Sequence, residues 1–374
     1  MREVNLLRRR LLLAAASSPF LAACSPKVPQ MTAEETQRIK TLISRMQTRC
    51  IGRFLIDLPD AFVLNPVRQA EIDKVRVQSE PMAEKAAFDL LLSGYRKKLS
   101  HVRHIPERHE FLRSVYPIDG GLIFDRSKSD VTSRSDRCIE ARWWSGGFAF
   151  TAEVDAFDLT FPEDLDNKTL QQLKTRTDVA EKIATLRSVI ARIRGRREDE
   201  IPQEPGDCIA HGFISGPAND QQDISMSFHW RDAHDVYFSF NHTTRVREDD
   251  TMLQRSASIE RQFAEAGIRT LRKGSRSIHG LAYEEWLTHE PAEVTTADVE
   301  GNGFVLRGNE AERDPRKPSI ELNLYNGHYI PTPEISLEED AKIPTLQRAS
   351  LSDAEAVALW DAVTATLRPR PGAF

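Results

Sequence analysis

The chain has 374 residues, 40% of them hydrophobic and 29% charged, with a formal net charge of −5 at pH 7. That is enough apolar material to build full-sized cores, which excludes a disordered chain. The mildly acidic, evenly mixed charge argues against a nucleic-acid binder and against adhesion to anionic lipid headgroups, and the length suggests about two domains.

The first 23 residues read as an address rather than as fold. Arg8-Arg9-Arg10 supplies a positive start, Leu11 through Ala16 an apolar stretch, and Leu21-Ala22-Ala23-Cys24 a small-residue cleavage site ending on cysteine. That order is a secretory signal, and cysteine directly after the cut is the bacterial lipoprotein pattern, in which the thiol takes a diacylglyceryl group. We therefore expect residues 1–23 to be removed and Cys24 to be lipidated. The leader carries four arginines and one glutamate, so its loss takes the formal charge from −5 to −8. Arg8 to Leu12 fits a twin-arginine signal and an ordinary positive start equally well. Ser25 stands where aspartate would favour inner-membrane retention, so outer-membrane placement facing the periplasm is expected. The apolar stretch is too short to span a bilayer.

Residues 24–49 form a polar tether and a short helix, started by the capping box Thr32-x-x-Glu35. The sequence then nearly restarts itself. Cys50-Ile51-Gly52-Arg53-Phe54-Leu55-Ile56-Asp57-Leu58-Pro59 recurs as Cys208-Ile209-Ala210-His211-Gly212-Phe213-Ile214-Ser215-Gly216-Pro217. In the first half, residues 50–194, a strand at Lys74 to Gln78 precedes a helix whose stripe is Phe88, Leu91, Leu92, Tyr95 and Leu99. Strands follow at Phe111 to Tyr116 and Leu122 to Phe124. A hairpin joins Ile139 to Trp144 with Phe148 to Val154 through Ser145-Gly146-Gly147. A long helix with Val179, Ile183, Leu186, Ile190 and Ile193 on one face closes the half.

Residues 195–207, charged and broken by Pro202 and Pro205, read as a linker. The second half, residues 208–374, repeats the order. Ile224, Met226, Phe228 and Trp230 alternate with polar residues and are answered by Val236, Phe238 and Phe240. A helix then carries Met252, Ile259 and Phe263. Strands are expected at Leu281 to Leu287, Gly303 to Arg307 and Ser319 to Tyr325. Ser352-x-x-Glu355 caps a last helix with Val357, Trp360, Val363 and Leu367. This pattern predicts an α+β fold of two similar tandem domains, each a largely antiparallel sheet packed with helices.

Candidate chemistry is sparse. There is no nucleophile elbow, no His-Glu-x-x-His, no paired Cys-x-x-Cys and no phosphate loop, and Gly301-x-Gly303 reads as a turn. His101, His104 and His109 are close, but Pro106 interrupts any helix that would align them, and Arg103, Arg108 and Arg113 repel a cation; a solvated basic loop is expected. Glu284-Glu285 and Glu338-Glu339-Asp340 read as solvated. Cys50, Cys138 and Cys208 leave one disulfide open in three pairings, with buried unpaired thiols the preferred reading. No catalytic residue, metal ligand or cofactor is assigned. Ile139, Ala141 and Trp143 share one face of their strand, and Arg142 and Trp144 take the other. One tryptophan therefore points away from the core, and Trp144 with Arg142 is a possible interface. The polar connection Gly308 to Pro318 could reach a partner.

The segments Cys50 to Pro59, Pro205-Gly206-Asp207-Cys208-Ile209 and Gly280-Leu281-Ala282-Tyr283-Glu284-Glu285-Trp286 resemble the type VI secretion immunity proteins, in particular the cognate immunity proteins of the fourth Tle lipase class. The resemblance covers about residues 50 to 367 and brings no catalytic residue with it. It implies a non-enzymatic, two-domain α+β protein of the periplasm. Such a protein binds a lipase or phospholipase effector of the α/β-hydrolase fold between its domains and blocks the effector's active site. Two other readings remain at this stage: a structural or ligand-binding envelope lipoprotein without a toxin partner, and a metal-dependent envelope hydrolase using the His101 region.

Overall fold

The computed structural model describes residues 28–65, 69–103, 105, 109–161, 175–245, 247–292, 299–312, 314–328 and 346–374. Cys24 and the leader lie outside them. The capping box expected at Thr32 is present on α1 (Ala33–Leu42): Glu35 N donates to Thr32 Oγ1 at 3.2 Å and Thr32 N donates to Glu35 Oε2 at 2.7 Å. Next come β1 (Met46–Ile51), β2 (Phe54–Pro59), β3 (Phe62–Leu64), β4 (Gln69–Ile72) and β5 (Val75–Pro81). After them α2 (Lys85–His101) buries Phe88, Leu92 and Leu99, but Leu91, placed in the buried stripe by its spacing, is 59% exposed. It lies at the stripe's outer margin, beside Leu90 at 76%.

β6 (Leu112–Ile118), β7 (Gly121–Ser127), β8 (Asp136–Ser145) and β9 (Phe148–Phe157) follow. β8 and β9 meet as Ser145↔Phe148, so only Gly146 and Gly147 form the turn. Both have positive φ, +57° and +91°, which a two-residue hairpin demands and side chains resist. The first half ends in α3 (Val179–Ile190) and β10 (Ile193–Gly195), so Ile193 belongs to a strand and not to the helix face.

The second half runs β11 (Gly206–Ile209), β12 (Gly212–Ser215), β13 (Gln222–Trp230), β14 (Ala233–Thr243), α4 (Ser256–Glu265), β15 (Arg269–Ile278), β16 (Leu281–Pro291), β17 (Glu300–Gly308), β18 (Ser319–Asn326), α5 (Asp353–Thr364) and β19 (Arg368–Pro369). Met252 precedes α4 instead of lining it, and Leu367 follows α5, although both are buried. Gly301 and Gly303 lie inside β17, not in a turn. A Cβ on Gly301 would fall 2.0 Å from the Asn326 carbonyl oxygen, and one on Gly303 2.2 Å from Glu290 Oε1. The neighbouring strand leaves no room for side chains there.

Six strands of each half form matching antiparallel sheets, ordered β4-β5-β9-β8-β7-β6 and β13-β14-β18-β17-β16-β15. The two join edge to edge where β4 pairs with β13, Ala70 opposite Ile224, and β3 adds to β13 to complete a 13-stranded sheet. The joining strands are the equivalent first strands of the two copies, so the halves are related like the subunits of a twofold dimer.

The repeated motifs are exchanged across that join. Hairpin β1–β2, from the first half, sends Ile51, Phe54, Ile56 and Leu58 into the core with Met226, Phe240, Leu322 and Trp360. Hairpin β11–β12, from the second, sends Ile209 and Ile214 into the core with Val77, Ile139, Ala152 and Leu186. The hairpins touch each other through Cys50 and Cys208, which are disulfide-bonded with Cα atoms 5.7 Å apart. Gly52 N and Cys208 N each donate to the other residue's carbonyl at 2.8 Å. The preference for three unpaired thiols is thus overturned for two of them, because the exchange brings equivalent cysteines face to face. Cys138 remains free and buried, and burial pushes its thiol up to about 12.

Buried polar groups surround this contact. Arg53 Nη2 donates to Asp207 Oδ2 at 2.8 Å, and Gln222 Nε2 donates to the same oxygen at 2.9 Å. Arg370 donates to the carbonyls of Pro202, Glu204 and Gly206 at 2.5, 2.9 and 2.6 Å. Within residues 195–207, Arg196 is buried and donates to the carbonyls of Gly212, Glu200 and Ile209. Prolines and charges in this stretch therefore serve a tightly held strap.

Candidate functional site

Cross-strand partners share a face. Ile224, Ala70, Val77, Ala152 and Ala141 lie on one face in register and pack beneath α3. Met226, Phe240, Leu322 and Leu306 continue that face beneath α5 and hairpin β1–β2. Both central helices and both exchanged hairpins therefore lie on one side. The opposite side carries α2 and α4. Between them, among the described residues, no helix covers the central strands.

That face is polar, and Ser227 and Asn323 are buried in it. Ser227, Ser239 and Asn323 form one cross-strand row, and Ser225, Asn241, Glu321 and Arg307 the next. Tyr237 and Tyr325 oppose each other, half-buried, with stacked rings 4.8 Å apart. On the first-half side, Gln78 is exposed, and Arg76 reaches Asp155 at 3.4 Å and Glu153 at 3.7 Å. Arg307 Nη2 lies 2.7 Å from Glu321 Oε2, and Arg245 pairs with Glu71 across the join. Acid and base alternate, so the face carries no strong field of either sign.

Each flank is a helix over a groove. Beneath α2 a groove of about 400 Å³ is lined by Met82, Phe88, Leu91, Tyr95, Arg142 and Thr151. Beneath α4 one of about 760 Å³ is lined by Ile259, Phe263, Trp286, Val305, Arg307 and Arg255. Phe263 meets the Trp286 ring edge-on at 5.4 Å, yet no residue of α4 is fully buried.

Arg142 and Trp144 lie on this same face, under α2. The Trp144 indole N–H donates to the Met82 carbonyl at 2.7 Å, and the Arg142 guanidinium stands 3.7 Å from the Tyr95 ring centroid. Arg142 Nε also donates to Glu140 Oε1 at 2.6 Å, and Arg126 Nε and the Tyr95 hydroxyl donate to Glu140 Oε2 at 2.5 and 2.7 Å. Burial works against the Glu140 carboxylate, but the two arginines outweigh it and hold its pKa below the usual range. The helix thus covers both candidates in part.

A third concavity, of about 540 Å³, lies where the halves meet and is lined by Gln47, Arg49, Val63, Glu198, His211 and Arg231. Arg49, itself buried, lies 2.5 Å from Glu198. The other singled-out residues do not converge. His101 is exposed at the end of α2, with Nδ1 2.6 Å from the Lys97 carbonyl, and His104 and Glu338-Glu339-Asp340 lie outside the described residues. Among the described residues no three His, Cys, Asp or Glu side chains gather as a metal site. Glu285 is not solvated as expected. It is buried in β16, where it accepts from the Trp360 indole at 3.1 Å and pairs with Arg272 and Arg276 at 2.7 and 2.9 Å. Residues 308–318 connect β17 to β18, and Glu310 in them is buried against Arg255 at 2.8 Å.

Two family models match the chain in order: the N-terminal domain of Tle cognate immunity protein 4 over residues 47–196, and its C-terminal domain over residues 200–372. The chain belongs to the Tle cognate immunity protein 4 family. The two tandem α+β domains of the sheet are thus the two domains of this immunity family. Among solved structures, the apo immunity protein TplEi of the type VI secretion system from Pseudomonas aeruginosa is similar, with a TM-score of 0.63 and 20% identity over 87% of this chain and 97% of that one. The crystal structure of a Tle4-Tli4 complex gives 0.64 and 19%, covering 88% and 98%, and TplEi with an "L" peptide gives 0.59 and 19%, covering 87% and 98%. At that identity these structures share its fold. No curated protein matches the chain.

Proposed function

We propose that this immunity-family chain is a lipid-anchored periplasmic inhibitor that binds a type VI secretion lipase or phospholipase effector of the α/β-hydrolase fold. It covers the effector's active site and does no chemistry of its own. The observation that carries this reading is the match of both immunity-domain models, in order, over most of the chain. The similar fold of the solved Tle4-Tli4 complex supports an effector as the partner. The physics agrees. A phospholipase delivered into the periplasm attacks membrane lipid, and a lipid on Cys24 would station the inhibitor at the surface under attack, with Ser25 favouring the inner leaflet of the outer membrane. Occlusion needs no reactive group, only a complementary interface of about 1,600 Å² in total. The test mixes the purified mature chain with the lipase encoded beside its gene. Stoichiometric binding with loss of lipase activity is expected, and a chain that neither binds nor inhibits that lipase refutes the reading.

A further inference from the structure

We propose that the groove beneath α4 binds a fatty acid, with the alkyl chain on its apolar floor and the carboxylate against the arginines of its rim. This goes beyond the inhibitor reading, which gives the groove no task. Three observations carry it. The first is the floor. Trp286 of β16 and Val305 of β17 are register partners on the side under α4, and Ile259 and Phe263 of α4 close over them. The Trp286 indole N–H already donates to Thr270 Oγ1 at 2.9 Å, so the floor presents ring and methyl carbons. At about 760 Å³ the groove falls within the range of about 300–1,000 Å³ usual for ligand sites. Its counterpart under α2 is smaller, about 400 Å³, because α2 buries Phe88, Leu92 and Leu99 whereas no residue of α4 is fully buried.

The second is charge. Arg255, Arg261 and Arg307 line the groove against one acid, Asp250, in a chain whose formal charge is −5. Glu248 and Glu310 hold the Nη atoms of Arg255, and Glu310 and Glu321 hold those of Arg307. Each of these two guanidiniums still has a buried Nε with no acceptor, which an anionic oxygen would satisfy. Arg261 is exposed on α4 and has no acidic partner among the described residues. The third is a fixed mouth. Thr251 Oγ1 and Leu253 N donate to Glu284 at 2.8 and 2.6 Å, and Met252 N donates to the buried Glu310 at 2.8 Å. The segment leading into α4 is therefore held in place before any ligand arrives, which lowers the ordering cost of binding. Hydrolysis of an acyl ester supplies such a ligand, and that is the reaction of the proposed effector; this link alone rests on the inhibitor reading.

The experiment is calorimetry on the full mature chain carrying Cys24→Ala, so that no covalent lipid competes. The probes are decanoate, dodecanoate and dodecyltrimethylammonium, each below its micelle-forming concentration. One-to-one binding of both carboxylates is expected, with dodecanoate on the order of tenfold tighter, since each buried methylene is worth about fourfold. The cationic probe should bind about tenfold or more weakly than dodecanoate. Arg261→Glu should weaken dodecanoate binding about tenfold, and Arg96→Glu, the same charge change at an exposed position of α2, should leave it unchanged. Ile259→Asp sets a carboxylate against the alkyl chain and should also weaken binding; should it fail to fold, Arg261→Glu and the chain-length step decide. A folded chain that takes up neither carboxylate overturns the site. Equal affinity for the cationic probe, wild-type affinity in Arg261→Glu, or an equal loss in Arg96→Glu does the same. A chain that inhibits the neighbouring lipase but binds no dodecanoate loses the site and keeps the inhibitor reading, and one that binds dodecanoate but no lipase does the reverse.

Discussion

His242 makes stability depend on acid in a way that can be worked out from its surroundings. It lies in β14, fully buried, with neither ring nitrogen hydrogen-bonded and its ring 6.0 Å from that of Phe54. Burial, with the nearby Arg53 charge adding to it, pushes its pKa down to about 3. The folded state therefore keeps the ring neutral, whereas the unfolded chain takes up a proton near pH 6.5. The sign follows. This contribution is fully present above pH 6.5 and is lost as pH falls towards about 3, because only the unfolded state binds the proton in that window. At 1.36 kcal/mol per unit, the loss is about 1 kcal/mol at pH 6 and about 2 kcal/mol at pH 5. Asp207 acts oppositely, since burial raises it to about 6 and the folded state gains its proton first. The comparison must therefore be differential. Urea unfolding of the wild type and of His242→Leu at pH 7.5, 6 and 5 removes the Asp207 part by subtraction. The variant should gain about 2 kcal/mol on the wild type between pH 7.5 and 5. A stability difference that stays constant across that range would refute the reasoning.

Three more outcomes follow from the same region and from the leader. Closing a loop of 158 residues restricts the unfolded chain, so Cys50→Ala with Cys208→Ala should lower stability by about 3 to 5 kcal/mol, read from urea midpoints; an unchanged midpoint would contradict it. Arg53→Met leaves Asp207 buried without its cation and should cost about 3 to 5 kcal/mol, whereas Arg53→Met with Asp207→Leu should recover most of that, as a double-mutant cycle by calorimetry can show. Cys24→Ala should abolish incorporation of radioactive fatty acid, and label persisting in the variant would rule out Cys24 as the lipid site.

Much of the architecture was readable from local pattern. Capping boxes marked α1 and α5, alternation marked β13 and β14, and a glycine pair fixed the turn between β8 and β9. β15 escaped notice because it is an edge strand. Arg269, Arg272, Lys273 and Arg276 interrupt its pattern, and such charges keep an edge from pairing with strangers. Glu285 was misread as solvated because burial of an acid depends on partners from distant segments, here Trp360 and Arg276. Alternation puts Arg142 and Trp144 on the face of β8 opposite Ile139, Ala141 and Trp143, but nothing local indicates that α2 lies over them. The polar sheet face between α2 and α4 had the weakest signal, since serine, asparagine and tyrosine in alternate strand positions look like any solvated face. Only the joining of β4 to β13 assembles them into one surface.

The swap of hairpins also sets when this molecule can fold. β2 pairs with β19, Leu55 opposite Arg368, and its apolar side belongs to a sheet that begins at Gln222. A growing chain therefore cannot complete its first domain while the second is still being made, unlike proteins whose domains close one after another during synthesis. Contacts so distant along the chain are slow to form. An extended, late-folding polypeptide is the form that threads readily through a membrane channel, so the interlocked topology itself delays compaction until the whole chain is available.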